Sequence, residues 1–139
     1  MIQTFTSENI QFLDYGQIFV FGSNLAGRHG KGAALTAAKR FGAIRGQGEG
    51  LMWKCYAIPT KDENLKIRGL GEIERSVNTF LRFALAHGEH QFLVTKIGCG
   101  EAGYTPNDIA PLFRNRLSNV ILPKEFHNVL VGELSFTYT

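Results

Sequence analysis

Apolar and polar positions along this chain switch between two spacings, and the switches mark out the elements. Ile18-Phe19-Val20-Phe21, led by Gln17, is a continuous apolar run, the pattern of a strand buried on both faces. Gly32 to Phe41 then carries Ala33, Ala34, Leu35, Ala37 and Ala38, with Lys39-Arg40 in the last turn and Gly42 beyond it, which predicts a helix. Trp53 to Ile58 reads as the next strand, stopped by Pro59. From Gly71 to His87, residues Ile73, Val77, Phe80, Leu81, Ala84 and Leu85 mark one apolar helical face. Gln91 to Ile97 is a predicted strand, Asn128 to Val131 a final one, and 1–6 and 9–13 are candidate edge strands.

Between them, Ile109, Leu112, Phe113 and Leu117 suggest a helix over 107–118. Pro111 limits where it begins. With Thr105 as cap the proline falls at the sixth helical position and breaks a hydrogen bond, so a start at Asn107 or Asp108 is expected. Strands alternating with helices predict an α/β fold of three layers (α/β/α) around a mostly parallel mixed sheet. No internal repeat, linker or low-complexity tract divides residues 1–139, so one domain is expected.

Composition narrows the classes. Of 139 residues, 44% are apolar and 19% charged, values of an ordinary folded domain rather than a disordered one. No apolar run reaches the length of about 18 that a membrane helix needs. The opening Met1-Ile2-Gln3-Thr4-Phe5-Thr6 lacks the basic and apolar blocks of a secretory signal, so a cytoplasmic protein with no membrane partner is expected. The net charge of +3 suits an anionic small ligand but is thin for a nucleic-acid groove. Cys55 and Cys99 form neither a redox pair nor a zinc pattern, and nothing in the sequence requires a metal or cofactor.

The 16 glycines are clustered, and the clusters carry the chemistry. Gly22-Ser23-Asn24-Leu25-Ala26-Gly27-Arg28-His29-Gly30-Lys31-Gly32 lies between a buried strand and a helix start. Glycines there let the backbone approach a ligand, and a helix start offers N–H groups and a positive dipole end to a phosphate. No Walker A spacing is present. Gly98-Cys99-Gly100-Glu101-Ala102-Gly103-Tyr104 follows another strand and matches GxGxxG in letters. A dinucleotide fold needs that motif early, followed by a second half-domain, and here only one helix and one strand are expected after it. Two such loops at the carboxyl edge of parallel strands suit the two phosphates of one ligand; the plainer reading makes both simply tight turns. Gly46-Gln47-Gly48-Glu49-Gly50 reads as a flexible surface loop or a rim over the cleft.

At these two loops the sequence resembles the macro domain family, which binds ADP-ribose. Phe19-Val20-Phe21-Gly22-Ser23-Asn24 followed by Gly30-Lys31-Gly32-Ala33-Ala34 is similar to the family's first signature, and Lys96-Ile97-Gly98-Cys99-Gly100-Glu101-Ala102-Gly103-Tyr104 to its second. Tyr56-Ala57-Ile58-Pro59-Thr60-Lys61 looks like the branch of lysine-dependent ADP-ribosyl-glutamate hydrolases and small phage-type relatives. The resemblance implies a ligand such as ADP-ribose, a related diphosphate nucleotide-sugar or an ADP-ribosylated macromolecule. It implies hydrolysis of an ADP-ribose derivative, as a 1″-phosphate phosphatase or an ADP-ribosyl-protein hydrolase, with a binding module that does not turn its ligand over as the alternative. Asn24, Lys61 and Glu101 are the implied catalytic residues. Implied ligand contacts are Gly22, Ser23, Arg28, His29, Gly30, Lys31, Gly32 and Ala33 in the first loop, and Gly98, Cys99, Gly100, Ala102, Gly103 and Tyr104 in the second. Asn9 aligns with the family's adenine-holding aspartate. Ala102 stands where the lysine-dependent branch carries an aspartate, and Ala34 where the other hydrolases carry an acidic residue.

Each candidate has a plainer reading. Asn24 is otherwise a turn asparagine, Lys61 a solvated lysine, Glu101 an exposed carboxylate and Tyr104 a lid over its loop. His29 is a base, a phosphate ligand or a surface residue. Cys99 reads as a small packing residue rather than a nucleophile, and His87, His90 and His127 as solvated.

Overall fold

Five strands form one mixed sheet in the order β2-β3-β1-β4-β5. The computed structural model describes residues 5–137, with strands β1 (Gln17–Asn24), β2 (Gly50–Met52), β3 (Cys55–Lys61), β4 (Gln91–Val94) and β5 (Val120–Ile121). The helices are α1 (Gly32–Arg40), α2 (Leu70–Ala86), α3 (Pro106–Ile109), which runs into a 3₁₀ turn at Ala110–Phe113, and α4 (Lys124–Thr137). β1 pairs in parallel with β3 and β4, and β4 with β5; β2 is antiparallel to β3. The fold is α/β, and the expected layering holds.

Alternation along the strands divides the core. Ile18 and Val20 join Tyr56, Ile58, Phe92 and Val94 against α2, the 106–113 segment and α4. Phe19 and Phe21 join Cys55 and Ala57 against Ala37 and Phe41 at α1, with Ile10 and Leu13 packed alongside. Phe80 of α2 centres the larger side, its ring 4.9 Å from Tyr56, 5.5 Å from Phe92 and 6.4 Å from Phe113, all edge-on. Such pairs add about 0.5–1.5 kcal/mol each beyond area burial, so this face fixes the position of α2 against the sheet.

Several expected boundaries are corrected. Residues 9–13 form no strand: Asn9 has φ +54°, outside extended backbone, and Thr6 makes an isolated bridge, to Pro123. Residues 1–4 of the other expected edge strand lie outside the described residues. Trp53 and Lys54 are the turn between β2 and β3, with Trp53 at φ +48°, so β3 starts at Cys55. It also runs past Pro59 to Lys61, because pairing with β2 stops at Ala57 and the proline takes a position where β2 has no partner to offer. β4 ends at Val94 rather than Ile97, and Thr95 bonds Val20 O through both its N–H (3.0 Å) and its hydroxyl (2.8 Å).

Leu85, expected on the apolar face of α2, is exposed. At 3.6 residues per turn it lies about 120° around the helix from Ile73, beyond the buried stripe. The helix expected over 107–118 is shorter and starts earlier. Thr105 is the N-cap, its side chain accepting from Asp108 N–H, and Pro106 occupies the first turn. Switching to 3₁₀ geometry at Ala110 places Pro111 at the start of a new turn, which avoids the broken hydrogen bond. Asn128–Val131 belongs to α4, not to a strand. Leu122, Phe126 and Leu130 recur every four residues and are buried, a helical spacing that outweighs the β-branched look of Val129 and Val131. The last strand is instead Val120–Ile121.

Candidate functional site

β1, β3 and β4 run parallel, so their carboxyl ends share one edge of the sheet, and a cleft of about 910 Å³ opens there. Both glycine loops line it. Asn24, Lys61 and Glu101 border it together with Gly22, Ser23, Arg28, Gly30, Lys31, Gly32, Ala33, Gly98, Cys99, Gly100 and Ala102. Asn9, His29, Gly103 and Tyr104 are not among its lining residues.

The first loop presents main-chain donors. Lys31 is the N-cap of α1 in extended conformation, no side chain caps the helix, and its first turn holds no acidic residue. The N–H groups of Gly32, Ala33 and Ala34 have no partner within a helix by geometry, and all three residues line the cleft. This is an anion seat of the kind that helix starts provide.

The loop is held in shape by its own side chains. Asn24 donates from Nδ2 to Arg28 O (2.9 Å) and accepts at Oδ1 from Arg28 N (3.0 Å), so both ends of its amide close the turn. His29 is buried. Its Nε2 lies 3.0 Å from Ile44 O and 3.1 Å from Gln47 O, and its ring meets Phe21 edge-on. It therefore braces the loop from behind. The Gly46–Gly50 cluster supplies the other half of that brace and does not line the cleft. Gly48 is buried, accepts a hydrogen bond from Ser23 Oγ, and approaches β1 so closely that a Cβ there would lie 2.1 Å from Asn24 O.

The second loop turns tightly after β4. Tyr104 N–H bonds Gly98 O (2.9 Å) and Gly103 N–H bonds Gly100 O (3.0 Å). Gly98 has φ +78°, and a Cβ on it would stand 2.9 Å from Ile109 Cδ1, so only glycine fits between the loop and α3. Tyr104 donates its hydroxyl to Arg68 O (2.6 Å), fastening the loop to the segment after β3 rather than covering the cleft. The Cys99 thiol is pushed up by burial, and its side chain packs against the larger core.

Charge gathers at the rim. Glu101 pairs with Lys31 (3.1 Å) and with Lys61 (3.2 Å). Hydrogen bonds from Lys31, then Lys61, hold its carboxyl below the usual range, so it is ionised at neutral pH and can accept a proton but not deliver one. Lys96 pairs with Glu125 at the start of α4 (3.1 Å). Four cations (Arg28, Lys31, Lys61, Lys96) and two carboxylates (Glu101, Glu125) line the cleft, and Glu8 also pairs with Lys96 (3.9 Å), so the surroundings keep a small net positive charge.

Thr60, Leu65, Thr95, Lys96, Pro106 and Glu125 also line the cleft. Thr60 and Thr95 were findable, since each sits at the carboxyl end of a strand. Leu65 and Glu125 arrive from a loop and a helix that periodicity does not place. Among the described residues no three His, Cys, Asp or Glu side chains are grouped so as to hold a metal ion. No protein-family model matches the chain, and no curated protein or solved structure matches it.

Proposed function

We propose that this chain is a macro-like domain that binds ADP-ribose or a related diphosphate nucleotide-sugar and hydrolyses a derivative of it. The observation that carries this reading is that both glycine loops and the uncapped start of α1 line one cleft, with a net positive charge around it. That charge suits the anionic phosphates of a diphosphate. Main-chain N–H groups grip the phosphates, and the lysines at the rim add charge. In the hydrolytic reaction the bond from ribose C1″ to a phosphate or carboxylate leaving group breaks, the oxygen of a water ends on C1″, and free ADP-ribose is released. Lys61, at the end of β3, is the proposed attacking group or the positioner of a water, and ionised Glu101 beside it the proton acceptor. The proposed setting is cytoplasmic, where Cys55 and Cys99 stay thiols.

A second reading, a module that binds without turnover, has its own support. The Asn24 amide is occupied by Arg28, and Ala34 and Ala102 supply no carboxylate. Calorimetric titration with ADP-ribose tests both readings; the expected result is saturable heat, and no heat at millimolar ligand removes both. Phosphate release from ADP-ribose-1″-phosphate, or ADP-ribose release from a modified glutamate, then separates enzyme from module. In Lys61→Ala, lost turnover with binding intact supports the lysine's role, and unchanged turnover excludes it.

A further inference from the structure

Glu101 Oε1 lies 3.1 Å from Lys31 Nζ and Oε2 lies 3.2 Å from Lys61 Nζ. Lys31 caps α1, Lys61 ends β3 and Glu101 belongs to the loop after β4, so one carboxylate ties three chain segments across the cleft mouth. The bridge sits at the rim, with Glu101 61% exposed and Lys61 only 22% exposed. A carboxylate and a phosphoryl group offer two ammonium groups the same thing, negative charge on more than one acceptor oxygen.

We propose that Glu101 is a resident anion, holding the phosphate seat between Lys31 and Lys61 until a ligand with two linked phosphoryl groups displaces it. The proposal rests on reading the cleft as a diphosphate site. A lone phosphate that takes this seat only exchanges one anion for another. One that sits instead at the start of α1 lies beside a carboxylate that repels it. A diphosphate escapes both limits. Its first phosphoryl group anchors on the N–H groups of Gly32 and Ala33, and its second then competes with Glu101 at high effective concentration. Lys31 and Lys61 pass from Glu101 to the ligand, which leaves the carboxylate free at the cleft mouth to accept a proton and confines Lys61 to positioning a water, and the tie between the two loops is released. Glu101 thus filters against orthophosphate and sets a preference for linked phosphates.

The test is calorimetric titration of the full chain with inorganic pyrophosphate, with orthophosphate and with ADP-ribose, at one fixed low ionic strength, for the wild type, Glu101→Gln and Glu101→Asp. Glu101 is mostly exposed, so neither substitution threatens folding. Glu101→Gln is expected to bind pyrophosphate about three- to tenfold more tightly, in keeping with two exposed ion pairs. Its gain for orthophosphate is larger, so the preference for pyrophosphate narrows. Glu101→Asp keeps the charge but is one methylene too short to reach both ammonium groups, and it is expected to tighten pyrophosphate binding about twofold. Unchanged or weaker binding in Glu101→Gln overturns the proposal. So does tightening in Glu101→Gln with none in Glu101→Asp, which is a field effect of the charge alone. Absence of heat from pyrophosphate and ADP-ribose in all three proteins overturns the diphosphate reading itself, and this proposal with it.

Discussion

Replacing Gly98 by alanine perturbs the second glycine loop at its root, and its cost can be worked out from geometry. Gly98 has φ +78°, a left-handed conformation that costs an L-residue about 1–2 kcal/mol. The new methyl would lie 2.9 Å from Ile109 Cδ1 and 3.2 Å from Ile109 Cγ1. Ile109 is fully buried, so its side chain cannot swing away, and such overpacking costs about 1–3 kcal/mol. Together these give a loss of about 2–5 kcal/mol, a large share of a typical 5–15 kcal/mol. For a chain of this length the melting temperature falls by about 6–25 °C. Gly100→Ala is the matched control, because nothing lies within 4 Å of its added Cβ and its φ is not left-handed. It should melt within a degree or two of the wild type. Ile109→Val removes Cδ1, so in the Gly98→Ala background it should cost less than it does alone, and a double-mutant cycle by thermal denaturation reads that coupling. If Gly98→Ala melts with Gly100→Ala, or the cycle is additive, the close contact between the loop and α3 is refuted.

Three further outcomes are expected. His29→Ala loses the ring that joins Ile44 O, Gln47 O and Phe21, which lowers stability by about 1–3 kcal/mol and speeds amide exchange over 44–48; unchanged exchange contradicts the bracing role. Thr105→Ala removes the acceptor for Asp108 N–H (3.3 Å) and costs about 0.5–2 kcal/mol in denaturant unfolding, whereas a helix capped at Asn107 is insensitive to it. Lys31 and Lys61 lower the Glu101 carboxyl below its ordinary 4.5. A lowered folded-state value means that this contribution is present above the ordinary carboxylate range and is lost as pH falls through the folded value. An NMR titration of the Glu101 carboxyl should therefore show a midpoint that rises in Lys31→Met/Lys61→Met, and an unmoved midpoint contradicts the ion pairs.

Where one element's spacing stood alone, the sequence was readable. The run Ile18–Phe21 and the stripe Ile73, Val77, Phe80, Ala84 each have a single buried arrangement, and both elements form where expected. The misread segments were those decided by a distant partner. Asn128–Val131 looks extended by composition, yet Phe126 and Leu130 pack against the larger core, and that contact selects the helix. Pro111 seemed to forbid a cap at Thr105, but a change to 3₁₀ geometry removes the conflict. Pro59 seemed to end β3, and short β2 makes it harmless. The same division runs through the cleft. Glycine loops at strand ends are visible as letters, and the local Asn24 clamp on Arg28 follows from a turn asparagine, but the inward turn of His29 and the Glu101 bridge depend on contacts between distant segments.

The proposed grip of both glycine loops on one ligand is tested by amide NMR during a titration with ADP-ribose. Gly32 and Ala33 on one side and Gly98, Gly100 and Ala102 on the other are expected to shift together along one binding curve. Shifts confined to a single loop, or none at millimolar ligand, contradict it.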